Sequence, residues 1–372
     1  MNIYYLSVTS FTDTDLGVLE YLSKVYNVTY GLVLQKTNAN FTESEVSKFC
    51  KERNINFEPF RFKYQQKDPR TFLTFFKIIK KIKAAKSDVI YIPTFDHVFF
   101  SALSLLLDPR KTVIALHDVE FHSNAEFKKI LIIARKITLM HFVNFQVFSD
   151  SQFRLFKKLS PGKKVTLIPS PLKNFGTADR VLPTDGNIRL LFFGNILPYK
   201  GLGLLLQALS NINEKEERNI KLILAGRCND WDTEYEPLIK NNIKIERMIG
   251  FIDNEKIATL FTNADYLILP YKDATQSGPL KIAFNYNLPI IASDIDSFSE
   301  DVVDNVNGYL FKVGNVESLE SVLLKILNNH DTAYQQLKIE QKNYVAAKYS
   351  DEVISSKFVN MFNNVLNQVT HN

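Results

Sequence analysis

Short apolar runs alternate along the whole chain with longer stretches in which apolar and polar residues recur at helical spacing. Strands buried on both faces of a parallel sheet give such runs, and the helices that cross between these strands give the longer stretches. The pattern therefore predicts an α/β fold made of two doubly wound, Rossmann-like domains facing a cleft. The predicted strands are residues 2–8, 28–35, 88–93, 112–118, 145–150 and 164–170, followed by 188–194, 221–226, 244–250, 266–271, 289–293 and 308–312.

A stretch rich in proline, glycine and polar residues, 171–187, separates the two sets of predicted strands. Stretches of this composition typically join domains. The predicted domains are residues 1–172 and 188–345, with a linker at 173–187 between them. The remaining segment, 346–372, contains a final helix that we expect to pack back on the first domain. The chain has 372 residues, which exceeds the usual size of a domain built on one hydrophobic core. This length agrees with two domains.

The charge balance narrows the choice of partners. The chain has 45 Lys and Arg against 40 Asp and Glu, a net charge of +5 that suits an anionic ligand or a membrane surface. The sequence shows neither the dense basic stripe nor the module of a nucleic-acid-binding protein, so no nucleic-acid partner is predicted. The first residues lack a signal-peptide pattern, and no apolar run reaches the length of a membrane span. We therefore expect a cytoplasmic protein, with the inner face of the cell membrane as an alternative location.

Two predicted helices, 70–86 and 127–145, carry apolar residues at helical spacing with lysines between them. Amphipathic basic helices of this kind can lie on anionic lipid as peripheral anchors. An ordinary surface helix with solvated lysines has the same pattern, so both interpretations stay open.

The clearest candidate chemistry lies where a strand of the second half passes into a helix. The strand ends at Gly194, Lys200 follows, and a leucine-rich helix begins at once. A cation beside the N–H groups of a helix start forms a natural phosphate site. Two later strands of the same half also end in glycine, at Gly226 and Gly250.

Further residues of the second half fit the same chemistry. Ser277 and Gly278 precede another predicted helix, and Arg227 follows a strand-end glycine. A helix start and a guanidinium group can both bind phosphate. Tyr199 and Tyr271 lie in neighbouring segments, and their sequence positions fit either a place in the cleft or a place in the core.

Four stretches of the second half, within residues 188–311, resemble in order the carboxyl-terminal domain of GT-B glycosyltransferases of family 4, also called group 1 glycosyltransferases. They read FFGNILPYKGLGLLLQAL, LILAGR, IGFIDNEKIATLFTNADYLILPY and SGPLKIAFNYNLPIIASDIDSFSEDVVDNVNGYLF. In the first half, LHDVEFHSN is similar to the family's His-Asp segment, and FSDSQFRLF is similar to the strand end after it. The resemblance covers most of the chain and is weaker in the first half.

The resemblance implies a retaining hexosyltransferase. Such an enzyme moves a hexose from a nucleotide diphosphate sugar to a hydroxyl of a growing, lipid-linked precursor of capsule, lipopolysaccharide or exopolysaccharide. The second domain would bind the donor and the first domain the acceptor. The resemblance implies no cofactor and no essential metal, because cationic side chains and a helix dipole stabilise the negative charge of the leaving group. The implied catalytic residues are His117 and Lys200, and the implied substrate-binding residues are Gly194, Asn195, Gly226, Arg227, Gln276, Ser277, Gly278, Pro279 and Glu300.

The sequence departs from the family at a pair of glutamates. The two positions fall on Ala274 and Ile282, whose side chains cannot hydrogen-bond a sugar hydroxyl. Gln276 or Asp273 are the candidates to replace the first glutamate, and nothing obvious replaces the second.

The family's arginine before the motif lysine is absent as well. Asn195 and Leu197 occupy the candidate places. A second phosphate cation would therefore have to be Arg227 or Lys281.

Two other functions stay open. A nucleotide-sugar epimerase could use the same fold, and a noncatalytic nucleotide-sugar-binding partner of another transferase could have lost the glutamate pair. His122, close to His117 in the sequence, is equally compatible with a structural and a functional role.

Overall fold

The computed structural model describes residues 1–34, 41–63, 68–93, 97–120, 128–181, 185–213 and 220–370. Contacts divide the chain into two units. The first unit comprises Met1–Pro171 together with Tyr349–Asn372, and the second comprises Leu172–Lys348. The chain therefore enters the second unit once and returns to the first near its end.

The first unit is built on a parallel sheet. Its described strands are β1 (Asn2–Val8), β2 (Asn27–Leu34), β3 (Asn56–Arg61), β4 (Val89–Pro93), β5 (Thr112–Leu116), β6 (Asn144–Val147) and β7 (Lys164–Leu167). Its helices before the second unit are α1 (Thr12–Val25), α2 (Glu43–Glu52), α3 (Thr71–Ala85), α4 (Val98–Ser104), α5 (Lys128–His141) and α6 (Asp150–Leu159). The strands lie in the order β3-β2-β1-β4-β5-β6-β7.

The second unit repeats this plan. Its described strands are β8 (Ile188–Phe193), β9 (Ile220–Gly226), β10 (Lys244–Ile249), β11 (Tyr266–Leu269), β12 (Ile290–Ser293) and β13 (Gly308–Phe311). Its helices are α7 (Leu202–Asn213), α8 (Asn254–Asn263), α9 (Gly278–Asn285), α10 (Asp296–Ser299) and α11 (Val316–Tyr349). The strands are parallel and lie in the order β10-β9-β8-β11-β12-β13.

In each unit the first strand lies inside the sheet. The next two strands extend the sheet on one side of it, and the later strands extend it on the other side. The strand order reverses between β1 and β4 in the first unit and between β8 and β11 in the second. The prediction of two doubly wound α/β domains is confirmed. In such sheets ligands bind beyond the carboxyl ends of the strands at the reversal point.

One strand, β3, is missing from the strands predicted by the sequence pattern. Its run Asn56–Arg61 contains Pro59 and two charged residues, and its side chains are only half-buried or exposed. β3 lies at the edge of the first sheet, where proline is tolerated because one side of the strand makes no ladder. β3 therefore lacks the continuous apolar run by which the other strands were predicted.

The segment predicted as a linker packs along the second unit in its described part. The backbone N–H of Phe175 donates to the hydroxyl of Tyr286 at 3.0 Å. The guanidinium of Arg180 donates to the carbonyl groups of Thr262 and Ala264 at 3.0 and 2.8 Å. The structure therefore places this segment in the second unit by its contacts.

The final helix, α12 (Asp351–Thr370), belongs to the first unit. Its Phe358 and Phe362 rings both lie 6.0 Å from the ring of Tyr91 on β4. α12 thus covers part of the face of the first sheet that α1 and α2 also cover.

Candidate functional site

The loops that follow β8 and β11 lie side by side, because these strands are neighbours at the reversal point of the second sheet. The loop after β8 carries Gly194 and Lys200, and the loop after β11 carries Tyr271 and Ser277. The backbone N–H of Lys272 donates to the carbonyl of Tyr199 at 2.7 Å and joins the two loops. Two separate stretches of predicted phosphate-binding residues therefore meet at one edge of the sheet.

A close backbone contact at Gly201 holds the lysine at this edge. Gly201 has a φ of 71°, and a Cβ atom there would lie 2.0 Å from the carbonyl oxygen of Pro270. Only glycine lets the short turn Pro198–Lys200 pack this closely against the end of β11. The residue type at 201 thus fixes the position of Lys200.

The Lys200 side chain is buried at this edge of the sheet. Lys200 is 7% exposed, and in the described part of the chain it makes no ion pair with a carboxylate. Its Nζ lies 5.3 Å from the ring centroid of Tyr271. Burial lowers the pKa of Lys200 from 10.5 to about 8. Buried charges in proteins are normally paired, so this arrangement indicates a place for an anion.

The start of α9 adjoins the same ammonium. Ser277 caps the helix by accepting the N–H of Leu280 at 3.3 Å. A Cβ atom at Gly194 would lie 3.2 Å from Nζ of Lys200 and 3.7 Å from Cγ of Pro279. Gly194, Lys200 and the first turn of α9 therefore border one small space. A phosphate in that space would meet a full positive charge and the positive end of a helix dipole.

A second cation, Lys173, reaches the start of α9. Its Nζ lies 3.3 Å from the position that a Cβ atom of Gly278 would take. Its backbone N–H donates to the carbonyl of Lys281 at 3.5 Å, which holds the segment against α9. Lys173 lies in the predicted linker and carries no sequence signal for a site. Its role becomes visible only when the linker is seen to pack on the second unit.

The loop after β9 lies next to the loop after β8. The backbone N–H of Gly194 donates to the backbone carbonyl of Ala225 at 2.9 Å, and the backbone N–H of Ile196 donates to the backbone carbonyl of Arg227 at 2.7 Å. The Arg227 side chain is exposed, and its guanidinium carbon lies 4.6 Å over the ring of Phe251. Gly226 is therefore part of the same edge as Gly194, whereas the Arg227 side chain is engaged with an aromatic ring.

Asn195 and Gln276 lie in the two loops that carry the site. Asn195 is exposed next to Gly194, and Gln276 is half-buried next to the cap residue of α9. Ile282, at the position of the family's second glutamate, is 4% exposed and belongs to the core. That position therefore contributes packing in this chain.

Glu300 is held through its main chain. Its carbonyl accepts from the hydroxyl of Tyr344 at 3.2 Å and from the ammonium of Lys348 at 3.3 Å. The adjacent Asp301 is buried and accepts from the ammonium groups of Lys281 and Lys348, each at 2.7 Å. Burial opposes ionisation of Asp301, but these two charges hold the pKa of its carboxyl well below the usual range. The Lys281 ammonium is thus paired with Asp301, and a role of Lys281 as the second phosphate cation stays a prediction.

His117 lies in the first unit, directly after β5. Its ring is stacked between Phe11 and Phe148, with centroid distances of 4.2 and 4.4 Å. The catalytic role that the resemblance implies for His117 stays a prediction. His122 lies outside the described residues.

Comparison with protein families gives the class of the second unit. Residues 174–344 match the family described as Glycosyl transferases group 1. The second unit therefore carries a group 1 glycosyltransferase domain. Assignment to family 4 within this group stays a prediction.

Curated relatives match over shorter stretches. An uncharacterized glycosyltransferase of Methanocaldococcus jannaschii is 24% identical over 42% of this chain and 43% of its own length. A phosphatidyl-myo-inositol mannosyltransferase of Mycobacterium leprae is 24% identical over 47% of this chain and 46% of its own length. The chain thus spans about half the length of these relatives.

Solved structures match along nearly the whole chain. The Anabaena protein Alr3699/HepE, in complex with UDP and glucose, superposes with a TM-score of 0.73. The match covers 98% of this chain and 100% of the Anabaena chain at 16% identity. This likeness confirms the GT-B fold predicted for the group 1 domain and the unit that precedes it.

None of the described helices combines the length and the apolar content that crossing a bilayer requires. Within the same residues, no three or more His, Cys, Asp or Glu side chains cluster so that they could hold a metal ion.

Proposed function

We propose that the protein is a retaining glycosyltransferase that moves a hexose from a nucleotide diphosphate sugar to a hydroxyl of a growing, lipid-linked polysaccharide precursor. One observation carries the proposal: Lys200 is 7% exposed, makes no ion pair with a carboxylate in the described residues, and adjoins the start of α9. The diphosphate of the donor would supply the anion that this ammonium lacks. The group 1 domain at 174–344 supports the same assignment.

The chemistry follows from where charge develops. Transfer breaks the bond from the anomeric carbon to the β-phosphate oxygen and forms a bond from that carbon to the acceptor oxygen. Lys200 and the N–H groups of α9 are fixed before the reaction and stabilise the negative charge on the leaving diphosphate. The released phosphate oxygen can take the proton of the acceptor hydroxyl. The reaction therefore needs no separate carboxylate base, which suits Ala274 and Ile282 at the positions of the family's glutamates.

The remaining assignments rest on the resemblance and on the relatives. The first unit would bind the acceptor, His117 would contact the donor sugar, and Glu300 would lie near the nucleotide. A UDP-glucose complex of the Anabaena protein supports a nucleotide-sugar donor. The name of the Mycobacterium leprae mannosyltransferase supports a hexose as the transferred group and a lipid as the acceptor anchor.

The test is a transfer assay with purified protein, UDP-hexoses and GDP-hexoses, and a lipid-linked glycan acceptor. We expect a product one hexose heavier by mass spectrometry, with the anomeric configuration of the donor retained in its NMR spectrum. Conversion of the donor in the absence of any acceptor would instead identify an epimerase. Donor binding without turnover, together with a second transferase that depends on this chain, would identify a noncatalytic partner.

The proposal includes contact between the first unit and an anionic membrane. Exposed apolar side chains are concentrated on two helices that cover one face of the first sheet: Phe72, Leu73 and Phe76 on α3, and Ile130, Ile132 and Ile133 on α5. Lys77 and Lys80 are exposed on α3 beside them. Apolar side chains that can enter the interface and lysines that meet anionic headgroups together favour an anionic bilayer over a neutral one.

Flotation with lipid vesicles tests this contact. We expect the protein to float with vesicles containing phosphatidylglycerol and not with pure phosphatidylcholine vesicles. The double variant Leu73→Glu/Phe76→Glu should lose this binding, whereas Ile339→Glu, at a 53% exposed position on α11, should keep it. Equal binding of the wild type to both vesicle types would contradict the proposal.

A further inference from the structure

Tyr271 carries a hydroxyl group that the folded chain leaves unpaired. The residue is 3% exposed, and its hydroxyl oxygen is buried with no hydrogen-bond partner among the described residues. The Ser277 hydroxyl lies beside it and accepts the N–H of Leu280 at the start of α9, and the two hydroxyl groups do not reach hydrogen-bond geometry with each other. An unpaired buried hydroxyl lowers the stability of the folded protein. Such a group requires an explanation, and a ligand that binds there is the simplest one.

The position of Tyr271 is fixed before any ligand arrives. Its ring packs against Tyr199 and Phe298, with centroid distances of 5.8 and 5.4 Å. Its carbonyl accepts the hydroxyl of Ser293 at 2.6 Å. The hydrogen bond from Ser293 fixes the main chain, and the ring cannot turn away to solvent without losing its contacts with Tyr199 and Phe298.

The same ring borders the buried ammonium of Lys200. The Lys200 Nζ lies 5.3 Å from the ring centroid of Tyr271, and neither polar group has a partner within the described residues. Burial, together with the neighbouring Tyr199, raises the pKa of Tyr271 well above its usual value. The hydroxyl therefore remains a hydrogen-bond donor throughout the physiological pH range. An unpaired donor and an unpaired cation thus lie together beside the first turn of α9.

We propose that the hydroxyl of Tyr271 donates a hydrogen bond to a phosphoryl oxygen of the nucleotide diphosphate that Lys200 binds. This inference rests on the proposed function and adds a binding residue to it. The hydroxyl keeps its proton and contributes a dipole only. It supplies part of the positive field that the family's arginine would provide, since Asn195 and Leu197 occupy the candidate places of that arginine.

The test compares two variants that each remove one hydroxyl group. In Tyr271→Phe we expect the Kd for UDP or GDP, measured by calorimetry, to rise about tenfold to a hundredfold, as for a lost hydrogen bond to a charged group. The melting temperature without ligand should stay the same or rise, because the substitution removes an unpaired polar group from the interior.

The matched control is Tyr334→Phe. The hydroxyl of Tyr334 is also buried and makes no hydrogen bond among the described residues, and its ring lies 5.4 Å from that of Tyr266 at the opposite end of β11. This variant should show the same thermal behaviour with an unchanged Kd. Wild-type protein that binds neither nucleotide would contradict the proposed function. Wild-type binding that Tyr271→Phe leaves unaltered would overturn only the role of Tyr271.

Discussion

Two lysines of the second unit are almost equally buried, yet their surroundings are opposite. Lys281 is 8% exposed and pairs with the carboxylate of Asp301, which Lys348 also contacts. Lys200 is 7% exposed and has no carboxylate partner in the described residues. A paired buried charge is satisfied by the fold, whereas an unpaired one lowers stability until a ligand supplies the counter-charge. The comparison distinguishes a buried cation that is paired within the fold from a buried cation that we propose binds the substrate.

The largest effect is expected where the charges are paired. Asp301→Asn removes the carboxylate that the buried Lys281 and the half-buried Lys348 share, and should lower the free energy of unfolding by about 3–5 kcal/mol. Urea denaturation of the variant measures this loss. The control is Asp253→Asn, which removes the carboxylate of an exposed pair with Lys256 and should cost less than about 1 kcal/mol. A similar loss of unfolding free energy in both variants would show that the buried cluster stabilises the fold no more than the exposed pair does.

The pH dependence of donor binding sharpens the contrast. Burial lowers the pKa of folded Lys200 to about 8, while the unfolded chain keeps the ordinary value of 10.5. Between these two values the unfolded chain binds more protons, so this residue makes the unliganded protein more stable as pH rises. Donor binding needs the ammonium form, so above pH 8 the Kd should rise by about tenfold per pH unit.

Calorimetric titrations of UDP across this pH range provide the measurement. Lys200→Met should remove the slope, because it leaves no ammonium to titrate at this position. A wild-type Kd that stays level up to pH 10 would mean that the ammonium does not contact the diphosphate.

A smaller effect is expected at Lys173, which is half-buried and reaches the start of α9. Lys173→Met should weaken UDP binding about threefold to tenfold, because a partly solvated charge contributes less than a buried one. Lys256→Met, at an exposed position, serves as the control and should bind like the wild type. Equal binding by all three proteins would remove Lys173 from the site.

Most of the fold could be predicted from the sequence, because apolar runs and helical spacing report burial on both faces of a parallel sheet. The edge strand β3 could not, since an edge position tolerates Pro59 and charged side chains. The packing of the linker could not be predicted either. It depends on single contacts, such as that between Phe175 and Tyr286, between residues far apart in the chain.

The candidate site was only partly predictable for the same reason. Gly194, Lys200 and Ser277 carry local signals, because strand ends and helix starts are visible in sequence. Lys173 and the hydroxyl of Tyr271 carry no local sequence signal, because their capacity to bind a ligand depends on which groups lie beside them in the folded chain. Lys281 shows the converse: its position near a helix start suggests a phosphate ligand, and its ion pair with Asp301 is invisible in the sequence.

The central claim is that Lys200 is an anion receptor whose burial the fold does not compensate. Calorimetry with UDP and GDP, and thermal unfolding without ligand, test it in Lys200→Met beside Lys256→Met. The account predicts about a hundredfold weaker binding or more in Lys200→Met, together with a melting temperature raised by a few degrees, and no change in the control. Unaltered nucleotide affinity with a lowered melting temperature would contradict it, because Lys200 would then be a residue that stabilises the fold.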